Sequence, residues 1–180
     1  MARMKDEVVG AVIDGMKDVG INVVTSLPTH MTINLRNAIE DDPALTHVPV
    51  ANEGDSVGIC SGAWLGGRMG ALLAQENGMI LATYHLLGTM DHHGGIPMIM
   101  LIDMPGHSSF RELSLPHMYY YALYAPKILE TLQLPYSVVT DADKMKDAIY
   151  ATYNAAQGLM RPAALIMGSD LYVQSKFDGA

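Results

Sequence analysis

Glu53 is the residue of this chain whose setting most invites a chemical explanation. It stands in "VPVANEGDSVGICSGAWLGG", where an apolar run ends and an apparent helix begins, and that helix carries Gly58, Gly62, Gly66 and Gly67. Glycine is among the poorest helix formers. A carboxyl group at such a junction can do general acid or base work. It can also serve only the helix, since an acid in the first turn is stabilised by the helix dipole, Asp55 likewise, while the glycines let the helix lie close on a sheet. Spacing by itself leaves both readings open. Gly58, Gly62 and Gly66 recur at i, i+4 and i+8 and so share a face. A smooth face beside a functional carboxylate predicts a site between subunits.

Three further groups could do chemistry. His30 follows Pro28 and Thr29 at the end of an apolar run. In "PGHSSFRE", His107 and Arg111 suit a substrate bearing a second anion, because guanidinium grips such oxygens in a fork and imidazole can donate to them or deliver a proton. In "DHHGG", His92 and His93 are neighbours and so do not share a face. With His85 and Asp91 they make a poor metal set, and no metal site is assigned to this chain. A helix end there would let His92 or His93 reach substrate, or leave both merely solvated.

These residues need elements to hold them. Apolar runs of strand length alternate with longer stretches of helical periodicity, the pattern of a parallel α/β sheet. Strands are expected over 21–28, 46–52, 69–75, 96–104, 135–140 and 162–171. Helices are expected over 5–19, 31–42, 53–67, 77–95, 118–132 and, capped by Asp141, 141–160. The 96–104 run is the most apolar and is placed centrally. The expectation is one domain over residues 1–180: α/β, doubly wound, a six-stranded mainly parallel sheet with helices on both faces. Ligands of such sheets bind outside the carboxyl ends of the strands. That rule selects residues 28–30, 52–55, 75–78, 103–111 and 168–170.

Totals exclude several classes. The net charge of −8, without a basic stripe, argues against nucleic-acid binding. Cys60 is the single cysteine, so neither an internal disulfide nor a CxxC zinc site can form, and a reducing, cytoplasmic setting fits. Charges in "MARMKDEVVG" speak against a signal peptide, and no run reaches the roughly 20 apolar residues of a membrane span. Only 17% of residues are charged, sparse for a fully wetted surface, which predicts a buried interface.

The stretch "HVPVANEGDSVGICSGAWLGGRMGALLAQENG" resembles the segment of thiamine-diphosphate-dependent 2-oxo acid decarboxylases that holds their catalytic glutamate, and "GINVVTSLP" and "RPAALIM" match in type and place. The resemblance implies the thiamine-diphosphate-binding fold in its pyrimidine-domain form. It implies that Glu53 exchanges a proton with N1' of the coenzyme's aminopyrimidine. Asp would fall short of that atom, and Gln could not exchange the proton. Cofactor contacts are implied for Glu53, Gln75, Asn77 and Gly78; substrate or proton-transfer roles for His30 and His107; substrate binding for Arg111, His92 and His93. In this family the diphosphate and Mg²⁺ are held by a domain bearing G-D-G followed by Asn. No G-D-G occurs in this chain, so the resemblance implies a beta subunit carrying that domain, in a hetero-oligomer. The reaction implied is decarboxylation of 3-sulfopyruvate to sulfoacetaldehyde, a step of coenzyme M biosynthesis, with phosphonopyruvate as the alternative substrate.

The segment "AQENG" departs from the family's Q-N-S-G-L-G-N, keeping Gln75 and Gly78 but having Glu76 and Asn77 between them. That segment shapes the substrate pocket in the family. Rival readings also stand. "GHSSF" is similar to a hydrolase nucleophile elbow around Ser108, with Phe110 where glycine is needed. A regulatory domain without turnover, and a carboligase, are the others.

Overall fold

The computed structural model describes residues 3–90, 95–104 and 116–173. Helix α1 (Asp6–Asp18) forms where Val8, Val9, Val12, Ile13 and Met16 recur on one buried face. Gly20, at φ +78°, turns the chain into β2 (Ile21–Ser26). There follow α2 (Ile33–Asp41), β3 (Thr46–Pro49), α3 (Glu53–Leu65) and β4 (Met69–Gln75). The region expected as one helix over 77–95 is two short ones, α4 (Glu76–Leu81) and α5 (Thr83–Gly88), parted at Ala82. Next come β5 (Ile99–Asp103), α6 (Pro116–Thr131), β6 (Tyr136–Val139), α7 (Met145–Leu159) and β7 (Ala163–Met167). Asp141 caps a 3₁₀ turn over 142–144 that precedes α7, its carboxylate accepting from Asp143 N at 3.0 Å.

Six strands pair in the order β3-β2-β4-β5-β7-β6, every pair parallel. The sheet is thus doubly wound and six-stranded, as expected, with the apolar β5 inside it. Because side chains alternate across a strand, the sheet feeds two cores. Leu73, Leu101 and Leu165 pack with α1, α2 and α7, while Leu72, Met100 and Ile166 pack with α3 to α6. Strand β2 has β3 on one side and β4 on the other. The connections through α2 and α3 therefore leave on opposite faces and open a crevice at the carboxyl ends of β2 and β4. A short antiparallel ribbon, β1 (Arg3–Met4) with β8 (Tyr172–Val173), was not anticipated. Its two-residue strands are too short for periodicity to register.

No described helix is long and apolar enough to cross a membrane. Cys60 is buried on α3 against Gly70 of β4, where a Cβ would stand 2.8 Å from its sulfur. Burial raises its thiol pKa to about 11, with the Thr25 hydroxyl acting in the opposite direction. It is a packing residue.

Candidate active site

The chain leaves β3 and enters α3 through Asn52, whose extended backbone and side chain make the helix cap: its Oδ1 accepts from Gly54 N at 2.7 Å. With the cap supplied by Asn52, Glu53 is free to turn inward, and it is only 7% exposed. Its carboxylate lies against Gly78 on α4, where a Cβ would come within 2.6 Å of the Glu53 carboxyl carbon. No side chain fits at position 78 without displacing the carboxylate. Gly54 is matched in the same way by His85 of α5, whose Nε2 would stand 2.8 Å from a Cβ there. The acid is thereby held between the first turn of α3 and the short helices α4 and α5.

The surroundings of α3 settle part of the glycine question. A side chain at Gly58 or Gly62 would meet nothing, and both positions are exposed. They do not serve contact with the sheet, so the reading in which they let α3 lie close on it fails for both. With Leu65 beyond them 79% exposed, they form a smooth, open strip leading away from Glu53.

Beneath the strand ends lies a polar layer. Asp103, the last residue of β5, pairs in register with Gln75, the last of β4. Its side chain is fully buried and Oδ2 accepts from the Thr29 hydroxyl at 3.4 Å. Burial lifts its carboxyl pKa to about 7, while the Tyr172 and Thr29 hydroxyls act in the opposite direction. Burial, with the charges of Asp103 and Glu76, raises the Tyr172 phenol. Glu76 is itself fully buried at the start of α4. Asp103, Glu76 and Tyr172 thus form a buried acidic cluster under the exits of β4 and β5. The rule about strand ends selects 103–111, where the sequence expectation falls on His107 and Arg111 and not on Asp103. The available signal was an acid closing the most apolar run of the chain.

His30 is exposed, on the loop between β2 and α2 that Thr29 ties to Asp103. Gln75 is half-buried and Asn77 exposed, its Oδ1 accepting from the Gly78 amide at 2.9 Å. Glu53, Gln75, Asn77 and Gly78 therefore gather at one edge, whereas His30 belongs to the neighbouring exit. His92, His93, His107 and Arg111 lie outside the described residues, as do Ser108 and Phe110. Among the described residues no three His, Cys, Asp or Glu side chains group as metal ligands. His85, weighed from sequence only as a metal partner, instead backs the helix that begins with Glu53. Gly54, directly after the acid, was the clue to a close approach there.

A second polar chain was also missed. His47 Nε2 lies 2.8 Å from Ser26 Oγ and its Nδ1 3.0 Å from Glu40. The order matches a serine triad, but Ser26 is 2% exposed, so its hydroxyl cannot meet a substrate. The chain ties α2 and β3 to β2.

In chemical terms the site offers a desolvated carboxyl group, fixed in place and able to exchange a proton with a basic nitrogen. Amide side chains lie beside it and an open glycine strip leads away.

No family model matches the chain. It is 31% identical over 155 residues to a protein of Methanothermobacter thermautotrophicus named sulfopyruvate decarboxylase subunit alpha, covering 81% of this chain and 86% of that one. A protein of the same name from Methanococcus maripaludis is 28% identical over 157 residues, covering 87% and 92%. A phosphonopyruvate decarboxylase of Streptomyces viridochromogenes is 24% identical over 144 residues, which span 80% of this chain but 36% of that one. The solved structure of a protein from Mycobacterium smegmatis, described as a thiamin diphosphate-dependent enzyme, superposes with a TM-score of 0.71 at 18% identity. That match covers 98% of this chain and 33% of the other, so the same fold occupies a third of a longer polypeptide.

Proposed function

Because this chain belongs to the family of sulfopyruvate decarboxylase alpha subunits, we propose that it is the alpha subunit of a thiamine-diphosphate-dependent decarboxylase converting 3-sulfopyruvate to sulfoacetaldehyde and carbon dioxide. The observation that carries this reading is the burial of Glu53 against Gly78 at the exit of the sheet. An acid held there, with Gln75 and Asn77 beside it, fits an aminopyrimidine that presents a ring nitrogen and an amino group. Thiamine diphosphate, when bound, supplies the electron sink into which the carbon–carbon bond of a 2-oxo acid breaks.

The roles of the chain's own residues follow from their chemistry. Glu53 exchanges a proton with N1' of the pyrimidine, a task that requires a carboxyl group of glutamate length. Gly78 keeps that carboxyl in place, and Gln75 and Asn77 line the pyrimidine side. His30 and His107 serve proton transfer at the substrate. Arg111, with His92 and His93, receives its sulfonate. The diphosphate and Mg²⁺ are held by a beta subunit, and the open strip of Gly58 and Gly62 is where that subunit approaches. On this reading the enzyme acts in the cytoplasm, at a step of coenzyme M formation.

The decisive experiment is co-expression with a chain carrying a G-D-G and Asn domain, followed by assay with 3-sulfopyruvate, 3-phosphonopyruvate and pyruvate. Carbon dioxide and sulfoacetaldehyde from the first substrate are expected. Preference for phosphonopyruvate moves the substrate assignment, a coupled product marks a carboligase, and no turnover of any 2-oxo acid overturns the reading.

A further inference from the structure

The buried Asp103 has no part in the roles given above, yet it sits under the exit that carries His30. Its Oδ2 accepts from Thr29 Oγ1 at 3.4 Å. That hydroxyl lies 2.8 Å from Thr32 Oγ1 and accepts from the Thr32 amide at 3.3 Å, so it bridges the loop on both sides of His30. Thr32 is itself buried. From the other side the Met4 amide donates to the Met31 carbonyl at 3.0 Å, and Asn34 Nδ2 donates to the Met4 carbonyl at 2.8 Å. His30, between these ties, is the most exposed residue of the segment 29–32, where Thr29 and Met31 are half-buried and Thr32 is buried.

We infer that Asp103 is a positioning residue for His30, acting through the Thr29 hydroxyl. The inference rests on the reading of His30 as a residue that faces substrate. A fully buried carboxyl at the end of a central strand is a rigid anchor, because β5 is paired on both sides. Thr29 transmits that rigidity to a loop whose tip must hold an imidazole against a reacting atom. Side chains held by such supporting bonds keep the geometry that effective catalysis requires. Asp103 touches no substrate and takes no proton from it.

The test uses the assembled enzyme with coenzyme and 3-sulfopyruvate. Thr29→Val keeps the side-chain shape and removes the tie; it should lower kcat by about 10- to 100-fold, with a smaller change in KM. Thr29→Ser restores the hydroxyl and should recover most of kcat. His30→Ala combined with Thr29→Val should be no slower than His30→Ala alone, and Asp103→Ala should match Thr29→Val. Hydrogen exchange on the assembled protein gives a readout independent of turnover: amides of residues 29–32 should exchange faster in Thr29→Val, while those of β7 stay protected. The inference is overturned if Thr29→Val runs within twofold of wild type, if its loss multiplies with that of His30→Ala, or if exchange at residues 29–32 is unchanged. Should Asp103→Ala fail to fold, the two Thr29 variants decide. If wild-type enzyme decarboxylates nothing, the functional reading fails, and the exchange experiment still decides whether the tie orders the loop.

Discussion

Gly78 of α4 lies so near Glu53 of α3 that a side-chain carbon there would stand 2.6 Å from the carboxyl carbon, inside any tolerable contact. The two residues are 25 positions apart in sequence and belong to the helices that precede and follow β4 in the chain, packed on one face of the sheet. The acid's position is therefore set by the absence of a side chain on its neighbour.

Gly78→Ala adds one methyl group and must displace Glu53. Overpacking of this kind costs about 1–3 kcal/mol of stability, read as a lowered melting temperature. The larger effect is expected on kcat of the assembled enzyme, about 10-fold or more, since the carboxyl loses its alignment. An alanine variant with wild-type kcat would separate Gly78 from the site.

Glu53→Gln preserves shape and leaves the fold intact, but the amide cannot exchange a proton at N1'. Decarboxylation should fall by at least about 10²-fold, with circular dichroism and thermal unfolding close to wild type. Near-normal turnover in that variant would remove Glu53 from the mechanism.

Asp103 imposes a pH dependence on stability. Its carboxyl titrates near 7 in the folded chain against the ordinary 3.8. Between those values the unfolded chain has lost a proton that the folded chain still holds, so stability contributed at acid pH is lost as pH rises through about 7 and then levels off. Asp103→Asn cannot ionise and should flatten this slope, unfolding at a higher temperature than wild type at pH 8 while the two converge toward pH 4. Parallel denaturation curves across that range would contradict the raised titration.

Gly58 and Gly62 face open space. Gly62→Ala should stabilise the chain by up to about 1 kcal/mol, because alanine is the better helix former. Gly62→Leu should be tolerated in the fold but, if the proposed beta subunit docks on this strip, weaken that association by about 10-fold or more, one hot-spot contact's worth. Titration calorimetry of the two subunits reads this directly, and unaltered affinity would move the interface elsewhere.

The six strands of the main sheet, the parallel α/β class and the inner place of β5 were legible in the sequence, because burial of a parallel strand on both faces demands an unbroken apolar run, as in "IPMIMLIDM". The place of Glu53 at a strand exit and helix start was legible as well, while spacing left open whether its carboxyl served the helix dipole or a site. Two-residue strands were not, nor was the break at Ala82: α4 and α5 share one helical periodicity, and only packing against α6 and α3 separates them. The place of His85 was not legible for a related reason. Its role depends on Gly54, a residue 31 positions away that lacks a side chain and so leaves no pattern beyond its own identity.

The chain's own order of residues determined its class, its layers and the carboxylate worth examining, since these follow from hydrophobic period and from which end of a strand a residue occupies. Tertiary structure alone decided that Asn52 caps α3 and frees Glu53, that Gly78 rather than a polar partner holds the acid, and that Asp103 lies beneath the loop of His30. The cap is a local bond, Asn52 to Gly54, but the other two outcomes depend on atoms brought within a few ångströms from distant parts of the chain, and short-range pattern carries no information about such distances.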